Sequence, residues 1–202
     1  MIKRNKQSIA IIGEGETEWF YINALRVALR YPFTIAPDFP KHSDVLHLND
    51  MINRCLSRGF DYVVCLIDMD RLLTNEVEMH RYRKMQKEYA KTKYKNQVFL
   101  FESNPCTEFW FLLHFIPTPP QKEYSCQDEV IDELQHYLPG YEKTKKYFVR
   151  SNFSDEITSK SNIDQAIANA EKLIEQIDWS ISDKLAYTHI HKLFHLLNSL
   201  KR

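Results

Sequence analysis

Residues 62–70 read Tyr62-Val-Val-Cys-Leu-Ile-Asp68-Met-Asp70, an apolar run that closes on two carboxylates. The run is short and rich in β-branched residues, so it reads as a buried strand with acids at its carboxyl end. A second stretch has the same design: Ser8-Ile-Ala-Ile-Ile-Gly13-Glu14-Gly15-Glu16-Thr17-Glu18, in which two glycines let the chain turn before a helix starts. In open α/β sheets, ligands gather at the carboxyl ends of parallel strands. Acids 54 positions apart (68 − 14) therefore meet if the two strands are neighbours. Carboxylates crowded in this way repel one another unless a cation lies between them.

Outward from these strands, the pattern alternates. A helix is predicted from Glu16 to about Arg30, with Trp19, Phe20, Ile22, Leu25 and Leu29 as its apolar positions and Pro32 as its stop. A short strand is expected near 33–36, followed by a helix from Ser43 to Arg58 with Ser43 as N-cap. Beyond Asp68 the chain predicts a long polar helix over about 75–93, a strand over Gln97–Glu102, and a helix opened by Asn104-Pro105. Strands alternating with helices imply an α/β fold with a mainly parallel central sheet flanked by helices. Pro117-Thr-Pro-Pro120 ends the alternation, and helices are predicted over Gln127–Tyr137, Ile163–Ile177 and Tyr187–Leu200, separated by polar stretches such as Ser151–Asn162. The expected organisation is an α/β core over 1–116 and a helical C-terminal extension over 117–202 packed on it.

Composition narrows the function classes. A chain of 202 residues, 44% of them hydrophobic, buries one sizeable core. No apolar run approaches the roughly 20 residues of a membrane helix. The segment Met1-Ile-Lys-Arg-Asn-Lys6 leads into a strand without a signal-peptide apolar region, so the expectation is a cytoplasmic protein with no membrane partner. Cys55, Cys65, Cys106 and Cys126 lie far apart, with no C-x-x-C pair, which argues against structural zinc and for core thiols. His191 and His195 are spaced i, i+4 but have no acid nearby in sequence, so surface or interface positions are expected. Gly13-Glu14-Gly15 does not continue as a P-loop, so the chain is not expected to be an ATPase itself. Cys106 and His114 stand about two helical turns apart, about 12 Å along an axis, too far for a thiol–imidazole pair.

Net charge is zero, with 27 basic and 27 acidic residues, but the distribution is uneven. From Arg81 to Lys95 seven positive charges face one negative, with Tyr82, Tyr89 and Tyr94 interleaved. Basic side chains contact phosphates and tyrosines stack on bases, so Arg81, Arg83, Lys84, Lys87 and Lys91, together with Arg71, are candidate nucleic-acid contacts. A solvated helix face gives the same pattern. Such a segment suits single strands or RNA loops better than duplex.

The acids allow a specific chemistry. Asp-x-Asp at a strand end supplies hard oxygen ligands for Mg²⁺ or Mn²⁺. If the strand continues past Asp68, Asp68 and Asp70 share a face while Met69 points into the core. Glu14 on an adjacent strand end then ligates the metal or moves protons. Equally compatible with the spacing is Asp68 as a helix cap and Glu14 as a charge near a helix N-terminus.

These residues resemble a known family. Gly13-Glu14-Gly15 after one strand and Asp68-x-Asp70 after another is similar to the two-motif signature of the Toprim domain of topoisomerases, primases and OLD-type nucleases. More narrowly, the chain resembles the RloB/AbiLii family of phage-defence proteins. That resemblance runs through Glu14 to Tyr21, the segment ending in Arg71, and Ser103-Asn104-Pro105-Cys106-Thr107-Glu108-Phe-Trp110-Phe-Leu-Leu-His114-Phe115. One departure is Thr107, where the family pattern has an aromatic residue. The resemblance implies a Toprim-like, Mg²⁺- or Mn²⁺-dependent nuclease acting on RNA, tRNA or DNA in antiphage defence. It makes Glu14 the proton-transfer residue and Asp68 and Asp70 the metal ligands, with Glu18 and Glu108 as further ligand candidates. It also implies an ABC- or AAA-type ATPase as partner, and leaves homo-oligomer formation open. The alternative is a non-catalytic regulatory or binding subunit of an ATPase-containing defence complex.

Overall fold

The computed structural model describes residues 7–31, 34–38, 44–120, 122–124, 126–180 and 185–200. Four parallel strands, β1 (Ser8–Ile12), β2 (Thr34–Asp38), β3 (Tyr62–Asp68) and β4 (Val98–Asn104), are joined by a two-residue antiparallel β5 (Tyr187–Thr188) in the order β2-β1-β3-β4-β5. Between and after them run α1 (Glu16–Leu29), α2 (Val45–Ser57), α3 (Met69–Leu73), α4 (Glu76–Tyr89), α5 (Thr107–Leu112), α6 (Gln127–Leu134), α7 (Lys145–Arg150), α8 (Phe153–Thr158), α9 (Lys160–Gln176) and α10 (His191–Ser199). The expected α/β architecture with a mainly parallel, helix-flanked sheet is what the chain adopts.

Period-two alternation divides β1 and β3 between two cores. Ile9, Ile11, Val64 and Leu66 face a cluster that holds α1, α5 and the C-terminal helices. Ala10, Ile12, Val63, Cys65 and Ile67 face a second cluster under α2 and α4. The first is the larger. Phe109 to Leu113 are fully buried there, and the Trp110 indole N–H donates to the Tyr21 hydroxyl at 2.7 Å, so its one polar atom is satisfied. β1 and β3 are adjacent, parallel and in register, with Ile12 opposite Cys65, so Glu14 and Asp68 leave the sheet at the same end.

Several local readings are corrected. β3 stops at Asp68, and Asp70 lies in the first turn of α3, so the two do not share a strand face. The reason is a carbonyl: Pro105 O accepts from both Met69 N and Asp70 N at 3.0 Å, satisfying amides that a helix start leaves open. The long polar helix starts where expected, at Asn75, whose side chain accepts from Glu78 N, but it ends at Tyr89, and a short separate helix, α3, precedes it. The N-cap of α2 is Asp44, which accepts from His47 N at 2.9 Å; Ser43 lies outside the described residues. Tyr187 and Thr188 form β5 in place of a helix start, because Ser103 Oγ and Thr188 Oγ1 bond at 2.8 Å and His189 N donates to Glu102 O at 2.7 Å. Residues 151–162, read as a polar separator, carry α8 and the start of α9, anchored by Phe153 and Ile157.

Cys55, Cys65 and Cys106 are buried as expected, whereas Cys126 is exposed. His191 is buried within the chain, whereas a surface or interface position was expected, and His195 finds an acid that sequence distance hid: Glu171 Oε1 is 2.9 Å from its Nε2. Among the described residues, no helix is long and apolar enough to cross a membrane.

Candidate functional site

The site is built where β1, β3 and β4 end. Gly13 is the tightest point of the β1 exit: a Cβ there would stand 2.2 Å from Glu18 Cβ. Only glycine admits this approach, and it lets Glu18 fold back so that its Oε2 accepts from Gly15 N at 2.8 Å. Glu18 therefore does two things. It satisfies an amide at the start of α1 and it places a buried carboxylate beside the strand ends.

Asp68 occupies the N-cap position of α3, but its side chain makes no cap bond there. Its Oδ1 reaches across to α5, where both the backbone N–H and the hydroxyl of Thr107 donate to it at 2.8 Å. Thr107, the departure from the family pattern, is thus the residue that fixes Asp68. Glu108 is fully buried next to it. Tyr141 donates to its Oε1 at 3.0 Å, and Lys143 Nζ stands 3.0 Å from its Oε2 as an ion pair without hydrogen-bond alignment. Sequence reading missed Tyr141, which lies in a loop beyond Pro117–Pro120 with no motif of its own; Lys143 opens a short basic stretch, Lys143 to Arg150, that reads equally as phosphate contacts or a solvated face and does not point to Glu108.

Glu14 faces the other side of the strand ends. It lines a narrow cleft with Val45, Leu48, Ile67, Arg71 and Tyr82. Its Oε1 accepts from Asp68 N at 3.2 Å, and its Oε2 is 3.8 Å from Arg71. Arg71 also lies 3.6 Å from Glu78, which accepts from Val45 N at 2.8 Å and pairs with Arg81 at 2.6 Å. Glu78 is a second residue the sequence did not single out. Asp70 sits at the rim, accepting from Arg71 N at 2.5 Å.

The electrostatics follow from burial and crowding. Desolvation, eased by Arg71 and aggravated by Glu18 and Asp70, raises Glu14 to about 7. Desolvation and then Glu108 push Glu18 up. Desolvation, Glu18, Glu14 and Glu108 together hold Asp68 well above the usual carboxylate range. Burial works against the Lys143 charge, but Glu108 and Asp68 outweigh it and raise its pKa. Asp68, Glu18 and Glu108 share this one ammonium, which leaves two excess negative charges (3 − 1) when all are ionised. Among the described residues, no group of three His, Cys, Asp or Glu side chains is placed so that it could hold a metal ion. The donor chemistry nevertheless fits a divalent cation, since every donor is a hard oxygen and the charge deficit equals one dication.

The candidate nucleic-acid contacts Arg81, Arg83, Lys84, Lys87 and Lys91 are exposed along and just after α4. The interleaved tyrosines do not join them. Tyr82 and Tyr89 are buried, donating to Glu102 and Asn49, and Tyr94 packs edge-on against Tyr89, so none of the three is a stacking surface. His114 is a core residue: its Nδ1 is 2.9 Å from Trp110 O, and burial lowers its pKa to about 4.

A family model described as "RloB-like protein" matches residues 9–197. The chain belongs to the RloB-like family. No curated protein and no solved structure matches it. In this RloB-like chain the matched span runs from β1 through α10, so it contains every residue of the acidic site.

Proposed function

We propose that this RloB-like chain is a Toprim-type, metal-dependent nuclease, hydrolysing phosphodiester bonds in RNA or DNA as an effector of antiphage defence. The observation that carries the reading is the set of buried carboxylates at one sheet end, short of two positive charges, with a glutamate at its edge that titrates near neutrality. Asp68, Glu18 and Glu108, with Glu14 and Asp70 at the rim, would hold Mg²⁺ or Mn²⁺. Such an ion neutralises phosphate charge and lowers the pKa of an attacking water.

The chain's own residues divide the remaining work. Glu14, with a pKa of about 7, takes up or releases a proton at neutral pH. Arg71 positions Glu14 and keeps its pKa from rising further. Thr107 locks one oxygen of Asp68 through two donors. Lys143 offsets part of the charge on Glu108 and Asp68. Exposed cations on α4 receive phosphates of the strand.

A second reading, a binding subunit for an ATPase of the ABC or AAA type, is favoured by one observation: the acids as placed form no three-ligand group. One experiment separates the two. Purified protein is titrated with Mn²⁺ by calorimetry and assayed for cleavage of single-stranded and folded RNA and DNA. The nuclease reading expects metal binding and cleavage that both fail in Asp68→Asn. Full cleavage by Asp68→Asn and by Glu14→Gln would sink it.

A further inference from the structure

Since the tyrosines of α4 are buried, the stacking surface that a single strand needs must lie elsewhere. Glu102, on β4 next to the strand end, gathers a separate cluster. Its Oε1 accepts from Tyr82 and from Gln86 Nε2, at 2.8 and 2.6 Å, and its Oε2 accepts from Tyr187 at 3.0 Å. On this anchored tyrosine rests Trp179, edge-on with centroids 5.5 Å apart. The Trp179 ring is also nearly parallel to His189, at 22° and 6.1 Å. Tyr187 and His189 are largely covered, yet Trp179 keeps half of its surface in solvent. An indole braced on two sides and left half bare is a rigid apolar plane, fixed by β5 to the sheet that carries the acids.

Cations flank it on two elements, alongside the exposed carboxylate of the adjacent Asp178. Gln86 marks the flank of α4 that faces Glu102, while Arg81, Lys84, Met85 and Glu88 line a groove on the opposite flank against α2. Helical spacing puts the exposed Arg83, three residues before Gln86, beside it on the Glu102 flank. Lys192 of α10 is exposed and close enough to feel the Glu102 charge. Register sets the distance to the acids: Ser103 lies between Asp68 on one neighbour and Thr188 on the other, so Asp68 and Thr188 are two strand spacings apart, about 10 Å.

We propose that Trp179 is a stacking platform for one unpaired base of a single-stranded nucleic acid, with Arg83 and Lys192 receiving the neighbouring phosphates. This deepens the nuclease reading by naming unpaired strands as the substrate class, and it rests on that reading for the role of the nearby acids. A plane of this kind accepts any base face, whereas a duplex keeps its bases stacked on one another.

The test is binding in EDTA, which separates it from cleavage. Fluorescently labelled oligonucleotides of one sequence are used as DNA and as RNA, each single-stranded, duplex, and single-stranded with abasic sites. Wild-type protein is expected to bind the base-bearing single strand more tightly than the abasic strand or the duplex, and the DNA and RNA arms show which sugar it prefers. Trp179→Ala should weaken binding of the base-bearing strand about 5- to 100-fold and leave the abasic strand unchanged, with Trp179→Phe keeping most of the affinity. Equal loss on base-bearing and abasic strands, or no loss on either, would overturn the platform. Cleavage in Mg²⁺ reports separately on the nuclease reading, because a protein that discriminates bases but never cuts keeps the platform and loses the enzyme.

Discussion

The two sides of the strand ends carry similar acids under different compensation. Toward α4, Glu14, Asp70 and Glu78 meet Arg71 and Arg81 in a chain of direct contacts. Toward α5, Asp68, Glu18 and Glu108 share Lys143 and are more deeply buried. The first arrangement is nearly neutral and tunes a single proton on Glu14. The second holds Asp68 and Glu18 up in pKa and has room in its charge balance for a dication. The two sides meet at the β3 exit, where Asp68 N donates to Glu14 and Asp68 Oδ1 turns the other way to Thr107, so in the proposed nuclease this is where proton transfer would be divided from cation holding.

Substitutions can break this contrast. Asp68→Asn should abolish Mn²⁺ binding and lower cleavage by about a thousandfold or more, since several kcal/mol of charge stabilisation leave with the ion. Glu14→Gln should lower cleavage about a hundredfold or more while calorimetry still finds the metal, because it removes a proton carrier and spares the α5 side. If both variants lost metal binding equally, the division would not hold. Lys143→Met should destabilise the metal-free protein by about 2 kcal/mol, by leaving Glu108 without its partner, and Mg²⁺ should restore the melting temperature more than in wild type. Arg71→Met should move the pH at which Glu14 titrates upward by about one unit, read as a displaced limb of the pH–rate profile, because Arg71 lowers that pKa.

The smallest effect is on pH-dependent stability, and its sign differs between two buried groups. Glu14 titrates at about 7 folded against an ordinary 4.5, so the folded state holds the extra proton between those values. Its contribution is present below pH 4.5 and is lost as pH rises through 7. His114 titrates at about 4 against 6.5, so its contribution is present above pH 6.5 and is lost as pH falls through 4. Thermal melts without metal should therefore fall off on both sides, by a few degrees each. Mg²⁺ should flatten the alkaline side only, because it displaces protons from carboxylates and has no ligand in His114.

Much of this was legible in the residues. The runs Ile9–Ile12 and Tyr62–Asp68 read as strands because nothing but a doubly covered sheet buries so continuous an apolar stretch, and their acids marked the site end. Asn104-Pro105 announced a turn, but its part in stopping β3 depends on the Pro105 carbonyl meeting residues 69 and 70, a contact between distant segments that no local pattern encodes. The contacts of Tyr141 and Lys143 were hidden for the same reason: they reach Glu108 from a loop whose one visible feature, the basic stretch from Lys143, does not tell which acid it meets. The tyrosines of α4 misled because alternating aromatic and basic residues describe an amphipathic helix as well as a binding strip, and burial decided between them. Trp179 drew no notice, being exposed and outside any motif.

The two residues of β5 have a consequence for how the chain comes together. Until Tyr187 and Thr188 have been synthesised and have docked, the C-terminal end of the outer β4 edge, Glu102 to Asn104, presents open amides and carbonyls, the template on which a foreign strand adds. The acids from Glu14 to Glu108 leave the ribosome earlier than this guard strand. A nascent or truncated chain thus carries its acidic site complete in sequence while this end of β4 stays unpaired, and should associate with copies of itself more readily than the full chain.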